Sequence, residues 1–142
     1  MADEAVVHSS LQIQASSGTL NYRSNPSAFI ADVDGSKGPT PGAITVAITG
    51  TSISLAELTT PGFCRVQNLD DTDSTNYVLL GIYDGASFFP LMELLPGEFF
   101  VFRLWREFGS EFVGTGTPAD NNVLRAMAVG GAVDLLVEAF ER

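Results

Sequence analysis

Cysteine, histidine, lysine and tryptophan each occur once in the 142 residues, as Cys64, His8, Lys37 and Trp105. A single cysteine excludes an internal disulfide and points to folding in the cytosol. A single histidine leaves no second imidazole to support it in nucleophilic or metal chemistry. With so little lysine, acidic side chains dominate and the formal net charge is −10. The six arginines stand scattered one or two at a time, so the clustered contacts that bind phosphate backbones or an anionic membrane surface are missing. Long hydrophobic runs are missing too, because Glu93, Glu98 and Arg103 interrupt the best candidate for a membrane span. The opening residues Met1, Ala2, Asp3 and Glu4 lack the positive-then-apolar pattern of a signal peptide. The expected product is soluble, made in the cytoplasm and not sent through the general secretion route, with neither nucleic acid nor membrane as its partner.

Apolar residues, by contrast, are abundant. They make up 45% of the chain, ten of them phenylalanine, against 17% charged residues. That imbalance points to a partner covering part of the apolar surface, although a large core would give the same composition. The length suits one domain, which at this size buries roughly 70% of the surface of its unfolded chain.

Strand signals dominate the chain. Residues 43–49 place Ile44, Val46 and Ile48 on one face and Thr45, Ala47 and Thr49 on the other, the period of a half-buried strand. Residues 52–55 repeat this after a turn at Gly50-Thr51. Residues 63–69 set Cys64 and Val66 opposite Arg65 and Gln67. Three aromatic-rich runs follow at 77–83, 88–95 and 99–105. Pro41-Gly42, Pro61-Gly62 and Pro96-Gly97 read as turns entering strands, since proline presets one central φ and glycine supplies the other. Asp84-Gly85 predicts a hairpin between Tyr83 and Phe88. Residues 132–140 fit either a helix face or a strand by period; Gly130-Gly131, with runs of similar length on both sides, favours a terminal hairpin with 123–129. Residues 34–42 and 109–122 read as loops.

The expected fold class is therefore all-β: one antiparallel β-sandwich or jelly-roll-like barrel of roughly eight to ten short strands. Residues 1–42 are expected as an extended N-terminal arm and loop packing on a sandwich core formed by residues 43–142, one domain overall.

Few residues suggest chemistry. Cys64 sits beside Val66 on a predicted strand and reads as a small buried hydrophobe, and His8 as a surface or strand residue. Residues 70–76 begin like a calcium loop, with Asp71, Asp73 and Thr75 at alternate positions. Asn76, however, stands where the turn glycine belongs and Ile82 where the bidentate Glu is needed, so a polar hairpin loop is expected. Gly114-Thr115-Gly116 lacks the Lys and helix of a phosphate loop. Glu93 and Glu98 flank a turn, too common an arrangement to indicate a glycosidase pair. No enzyme, cofactor or metal is expected.

The aromatic run says more. Phe88, Phe89, Phe99, Phe100, Phe102, Trp105 and Phe108 fall close together, and residues 99–105 are apolar on both faces. Such a strand is either central between two layers or packed on a neighbouring subunit, where Phe, Trp and Arg are enriched. The candidate interface is Phe88, Phe89, Phe99, Phe100, Phe102, Arg103 and Trp105.

Residues 60–70 (Thr-Pro-Gly-Phe-Cys-Arg-Val-Gln-Asn-Leu-Asp), Thr75-Asn76-Tyr77-Val78 and Gly81-Ile82-Tyr83-Asp84 carry a resemblance, and Pro96-Gly97-Glu98 and Arg103-Leu104 extend it. Over roughly residues 43–140 the chain resembles small tailed-bacteriophage virion structural proteins with an N-L-D…T-N-Y-V…G-x-Y-D core. Within that pattern the Asp-Thr-Asp-Ser stretch of the 70–76 loop is an insertion. The resemblance implies a virion protein. The leading expectation is a capsid decoration, or cement, protein on the capsid surface, bound to the major capsid protein or other virion proteins and self-associated as a homo-oligomer, for example a trimer. A tail, connector or baseplate component is the nearest alternative. A carbohydrate-binding sandwich, stacking sugars on Tyr77, Tyr83 or Trp105, is the second.

Overall fold

The computed structural model describes residues 4–10, 12–14, 21–23, 27–32, 39–71, 74–104 and 123–141. The chain divides into two compact units, Met1–Val33 and Asp34–Arg142. In the first, β1 (Glu4–Ser9) pairs antiparallel with β4 (Ser27–Asp32), and β2 (Gln12–Gln14) pairs antiparallel with β3 (Asn21–Arg23). The segment expected as an extended arm thus carries two strand pairs.

The second unit is a β-sandwich, and no helix occurs among the described residues. Its strands are β5 (Thr40–Val46), β6 (Thr51–Ser52), β7 (Pro61–Asn68), β8 (Tyr77–Tyr83), β9 (Phe88–Leu94), β10 (Phe99–Arg103), β11 (Val123–Val129) and β12 (Val133–Glu141). One sheet runs β10-β7-β12-β5 and the other β6-β11-β8-β9, with antiparallel neighbours throughout. Neither sheet closes into a barrel.

Period-two sequence builds the interior. Val46, Cys64, Val66, Leu135, Val137 and Ala139 point inward from one sheet, and Val78, Leu80, Leu94, Leu124, Ala126 and Ala128 meet them from the other. Glu141 is also buried, and its carboxylate accepts the backbone N–H groups of Thr59 (2.7 Å) and Thr60 (2.9 Å). That pair of bonds ties the end of β12 to the loop before β7. Asn68 is fully buried; its Nδ2 donates to the Leu94 carbonyl at 3.1 Å and its Oδ1 accepts from Asp70 N at 2.9 Å. One side chain thereby links the two sheets.

Several local expectations change in three dimensions. The strand foreseen at 43–49 ends at Val46, and Ile48, in the turn closed by Gly50 N donating to Ala47 O, is 61% exposed. Of the Pro-Gly pairs, Pro96-Gly97 forms the expected turn: Glu98 N donates to Leu95 O at 3.0 Å and Gly97 takes a φ of 77°. Pro41-Gly42 and Pro61-Gly62 lie inside β5 and β7, because β12 offers them ladder partners. Asp84 closes the expected β8–β9 hairpin, its carboxylate accepting from Ser87 N and Ala86 N, which holds it below the usual carboxylate range. The segment foreseen at 132–140 is strand from Val133 to Glu141, but β11 and β12 form no hairpin. The link at Gly130-Gly131 passes from one sheet to the other, because each strand has its own buried face and the two faces meet across the core. The 70–76 loop is likewise a crossover from β7 to β8 rather than a hairpin. The 109–122 loop and residues 34–38 of the 34–42 loop lie outside the described residues.

Candidate functional site

Strand β10 is an edge. The sequence allowed it to be central because both of its faces are apolar, yet among the described residues it pairs with β7 alone. β9 is the corresponding edge of the second sheet, and the Leu95–Glu98 turn joins the two on the same side of the sandwich. They do not hydrogen-bond to each other, so among the described residues this flank is open. A cleft of about 360 Å³ lies there, lined by Met92, Glu93 and Leu94 from β9, Gly97 and Glu98 from the turn, and Phe99 and Phe100 from β10. A smaller one of about 160 Å³ reaches inward past Met92 and Phe102 to Leu80 and Leu124.

Exposed apolar residues collect on this flank. Phe89 is 53% exposed, Leu91 66%, Phe99 62% and Phe100 47%, and Leu95 of the turn is exposed as well. Of the candidates named from sequence, Phe89, Phe99, Phe100 and Arg103 are therefore at the surface, Phe88 is half-buried opposite Tyr83, and Phe102 packs on the core. Trp105 and Phe108 lie outside the described residues. Leu91 and Leu95 escaped the sequence reading. A register shift between Leu80 and Gly81 leaves Leu91 opposite no partner, and it stands at alternate spacing with the exposed Phe89 and Glu93. Electrostatics shape the same flank. The Arg65 guanidinium lies 5.3 Å from the Phe99 ring centroid while bonding the Glu138 carboxylate at 2.6 Å. Arg103 lies 5.2 Å from the ring of Phe63. Such contacts hold aromatic side chains upright at modest cost, each worth roughly 0.5–1 kcal/mol when exposed.

Comparison with known proteins found no matching family model, curated protein or solved structure.

His8 is exposed on β1. Cys64 is buried on β7, and that burial, reinforced by the Glu138 carboxylate, pushes its thiol up from 9.0 to about 12. A thiolate is the reactive form, so this thiol is built to stay inert. Native protein is expected to resist a thiol reagent such as a maleimide at neutral pH and to react at once in denaturant. Because the unfolded thiol ionises first, stability is fully present below about pH 9 and is lost as pH rises towards about 12. Denaturation midpoints measured across that window should fall, and fall less steeply for Cys64→Ala.

The acidic loop is turned on itself. Asp70 accepts from Ser74 Oγ at 3.0 Å and from Asn76 Nδ2 at 3.5 Å, and Ser74 N donates to Asp71 O. Residues 72 and 73, and with them the Asp73 position of the calcium-like pattern, lie outside the described residues, as does Gly114-Thr115-Gly116. No group of three or more potential metal-ligating side chains occurs among the described residues. Glu98 closes its own turn, accepting from Leu95 N at 2.8 Å. Of the rings considered for sugar stacking, Tyr77 is half-buried and Tyr83 carries the Arg125 guanidinium 4.2 Å from its centroid.

Proposed function

We propose that this chain is a bacteriophage virion structural protein, most concretely a decoration or cement protein that stabilises an assembled capsid through protein–protein contacts. The observation that carries the reading is the open β9–β10 flank, where Phe89, Leu91, Leu95, Phe99 and Phe100 stand exposed together. Patches of that kind on a small domain mark surfaces meant to be covered. Covering a large apolar side chain contributes on the order of 1–2 kcal/mol. Several such contacts in one subunit, repeated over many copies on a symmetric shell, give lasting attachment by avidity. The phage-like motifs between Thr60 and Asp84 support the setting, and their residues form β7, β8 and the crossover between them. The role is binding rather than catalysis, the partner the major capsid protein or another virion protein, and the location the capsid surface.

The test is mass spectrometry and electron cryomicroscopy of particles produced by the genome that encodes the chain, with capsid and tail fractions separated. The expected result is symmetry-related density on the shell and recovery with the capsid fraction. Recovery only with tails, or from neither fraction, overturns the decoration reading; the first of these favours a tail, connector or baseplate role.

A further inference from the structure

Among the described residues four strands form the edges of the sandwich, and three of them are blunted. An open edge presents unpaired N–H and C=O groups to any other strand, so proteins shorten it, bulge it or place proline on it. β6 has only two residues. In β5, Leu69 N donating to Asp134 O turns the backbone groups of Asp134, Leu136 and Glu138 towards β7. Pro41, opposite Glu138, therefore directs its nitrogen away from β12 to the free side. In β9, Asp84 N donating to Ser87 O sets the alternation, so Ile82 and Phe89 share ladder bonds and Pro90, opposite Gly81, faces outward. The register shift beside it bends the same edge.

β10 has none of these devices. Its five residues, Phe99–Arg103, pair with β7 in unbroken register and include no proline. Asn68 N donates to Glu98 O and Leu104 N to Gly62 O, so Glu98, Phe100, Phe102 and Leu104 direct their backbone groups towards β7. Phe99, Val101 and Arg103 direct theirs to the free side.

We infer that β10 is a self-association edge, on which two copies of the chain pair antiparallel about Val101 to join their sheets. The segment is complementary to itself in that arrangement. Phe99 comes opposite Arg103 of the second copy on the outer face, an aromatic–guanidinium pair of the kind Arg65 and Arg103 already make within one chain. Phe100 comes opposite Phe102 of the second copy, extending the row those two rings form internally at 6.0 Å. The outward groups coincide as well, because Phe99 with Arg103 and Val101 with Val101 are the pairs that exchange bonds. Charge permits the contact. In a chain of net charge −10, the only ionised side chain in Phe99–Arg103 is an arginine, so no carboxylates oppose each other along the paired strands. The interface is isologous and closes as a two-fold pair. The inference goes beyond the virion reading and does not depend on it.

The experiment measures the mass of the full chain in solution by light scattering, with three variants. The wild type is expected to dimerise with rising concentration. Val101→Pro removes an N–H that faces outward and leaves the β7 ladder intact, so it should be a folded monomer by circular dichroism. Val101→Cys places two thiols opposite each other, about 5.5 Å apart at Cα and within disulfide reach. Under mild oxidation it should crosslink on the order of tenfold faster than the exposed hairpin control Ala86→Cys, through the high effective concentration inside the pair. This crosslink answers the question even if Val101→Pro does not fold. A wild type that stays monomeric up to its solubility limit overturns the inference. So does a dimer that survives Val101→Pro, or crosslinking no faster than the control. Each outcome concerns self-pairing alone and leaves the protein's presence in particles a separate result.

Discussion

Replacing Asn68 by alanine is expected to lower the free energy of unfolding by about 4 kcal/mol, measured by urea denaturation followed by circular dichroism. The side chain is fully buried and bonds the Leu94 carbonyl in the opposite sheet and Asp70 N in the crossover. Alanine removes both bonds, leaves the Leu94 oxygen unpaired away from water, and opens a cavity between the sheets. Stranding a buried polar group costs roughly 1–3 kcal/mol, and the cavity adds to it. A loss of this size is a large share of the total stability of a domain, about 5–15 kcal/mol. Asn68→Asp separates the bond from the volume. It keeps the shape but turns a carboxylate oxygen towards the Leu94 oxygen, so it should be destabilised at neutral pH and regain stability on acidification, when the protonated acid can donate. A variant as stable as wild type at neutral pH would show that the inter-sheet bond contributes little.

Gly81→Ala is expected to cost more than about 2 kcal/mol, by the same measurement, through forced displacement of backbone. A Cβ at Gly81 would fall well inside contact distance of the Phe89 carbonyl oxygen and lie 2.8 Å from Phe89 C and Pro90 Cα. Those are main-chain atoms of the bulged strand, with no flexible side-chain end to move aside. The register shift beside Gly81 depends on this close approach, so the substitution should also disturb the β9 edge. Loss of stability equal to that of an exposed-loop Gly→Ala change would mean that β9 gives way freely.

Much of the fold was legible because its determinants are local. Alternation in residues 63–69 corresponds to a buried row of Cys64, Val66 and Asn68, with Arg65 and Gln67 on the outer face. Asp84-Gly85 gave the β8–β9 hairpin because its turn chemistry is complete within four residues. Partnership between distant strands was not legible. A pair of glycines joins the strands of a hairpin and the strands of two facing sheets equally well, and only the position of β5 and β7 on either side of β12 decides between them. Apolar residues on both faces of 99–105 are equally compatible with a central strand and with an edge bearing an exposed patch. For the candidate site, the aromatic run named Phe89, Phe99 and Phe100, and these stand exposed on the β9–β10 flank. Its openness comes from the Leu95–Glu98 turn sending the chain from one sheet to the other, which alternation within each strand does not encode.

The sheet order also governs when this protein can fold as it is made. β12 is the last described strand in the chain, yet it lies in the interior of its sheet, hydrogen-bonded to β5 on one side and β7 on the other. Among the described residues β5 has no other neighbour, and Thr40 waits for Ala139. Until residues 133–141 leave the ribosome, that sheet lacks the strand that unites it. The inward faces of β5 and β7 must then remain uncovered, or be shielded by a chaperone, until that segment has emerged.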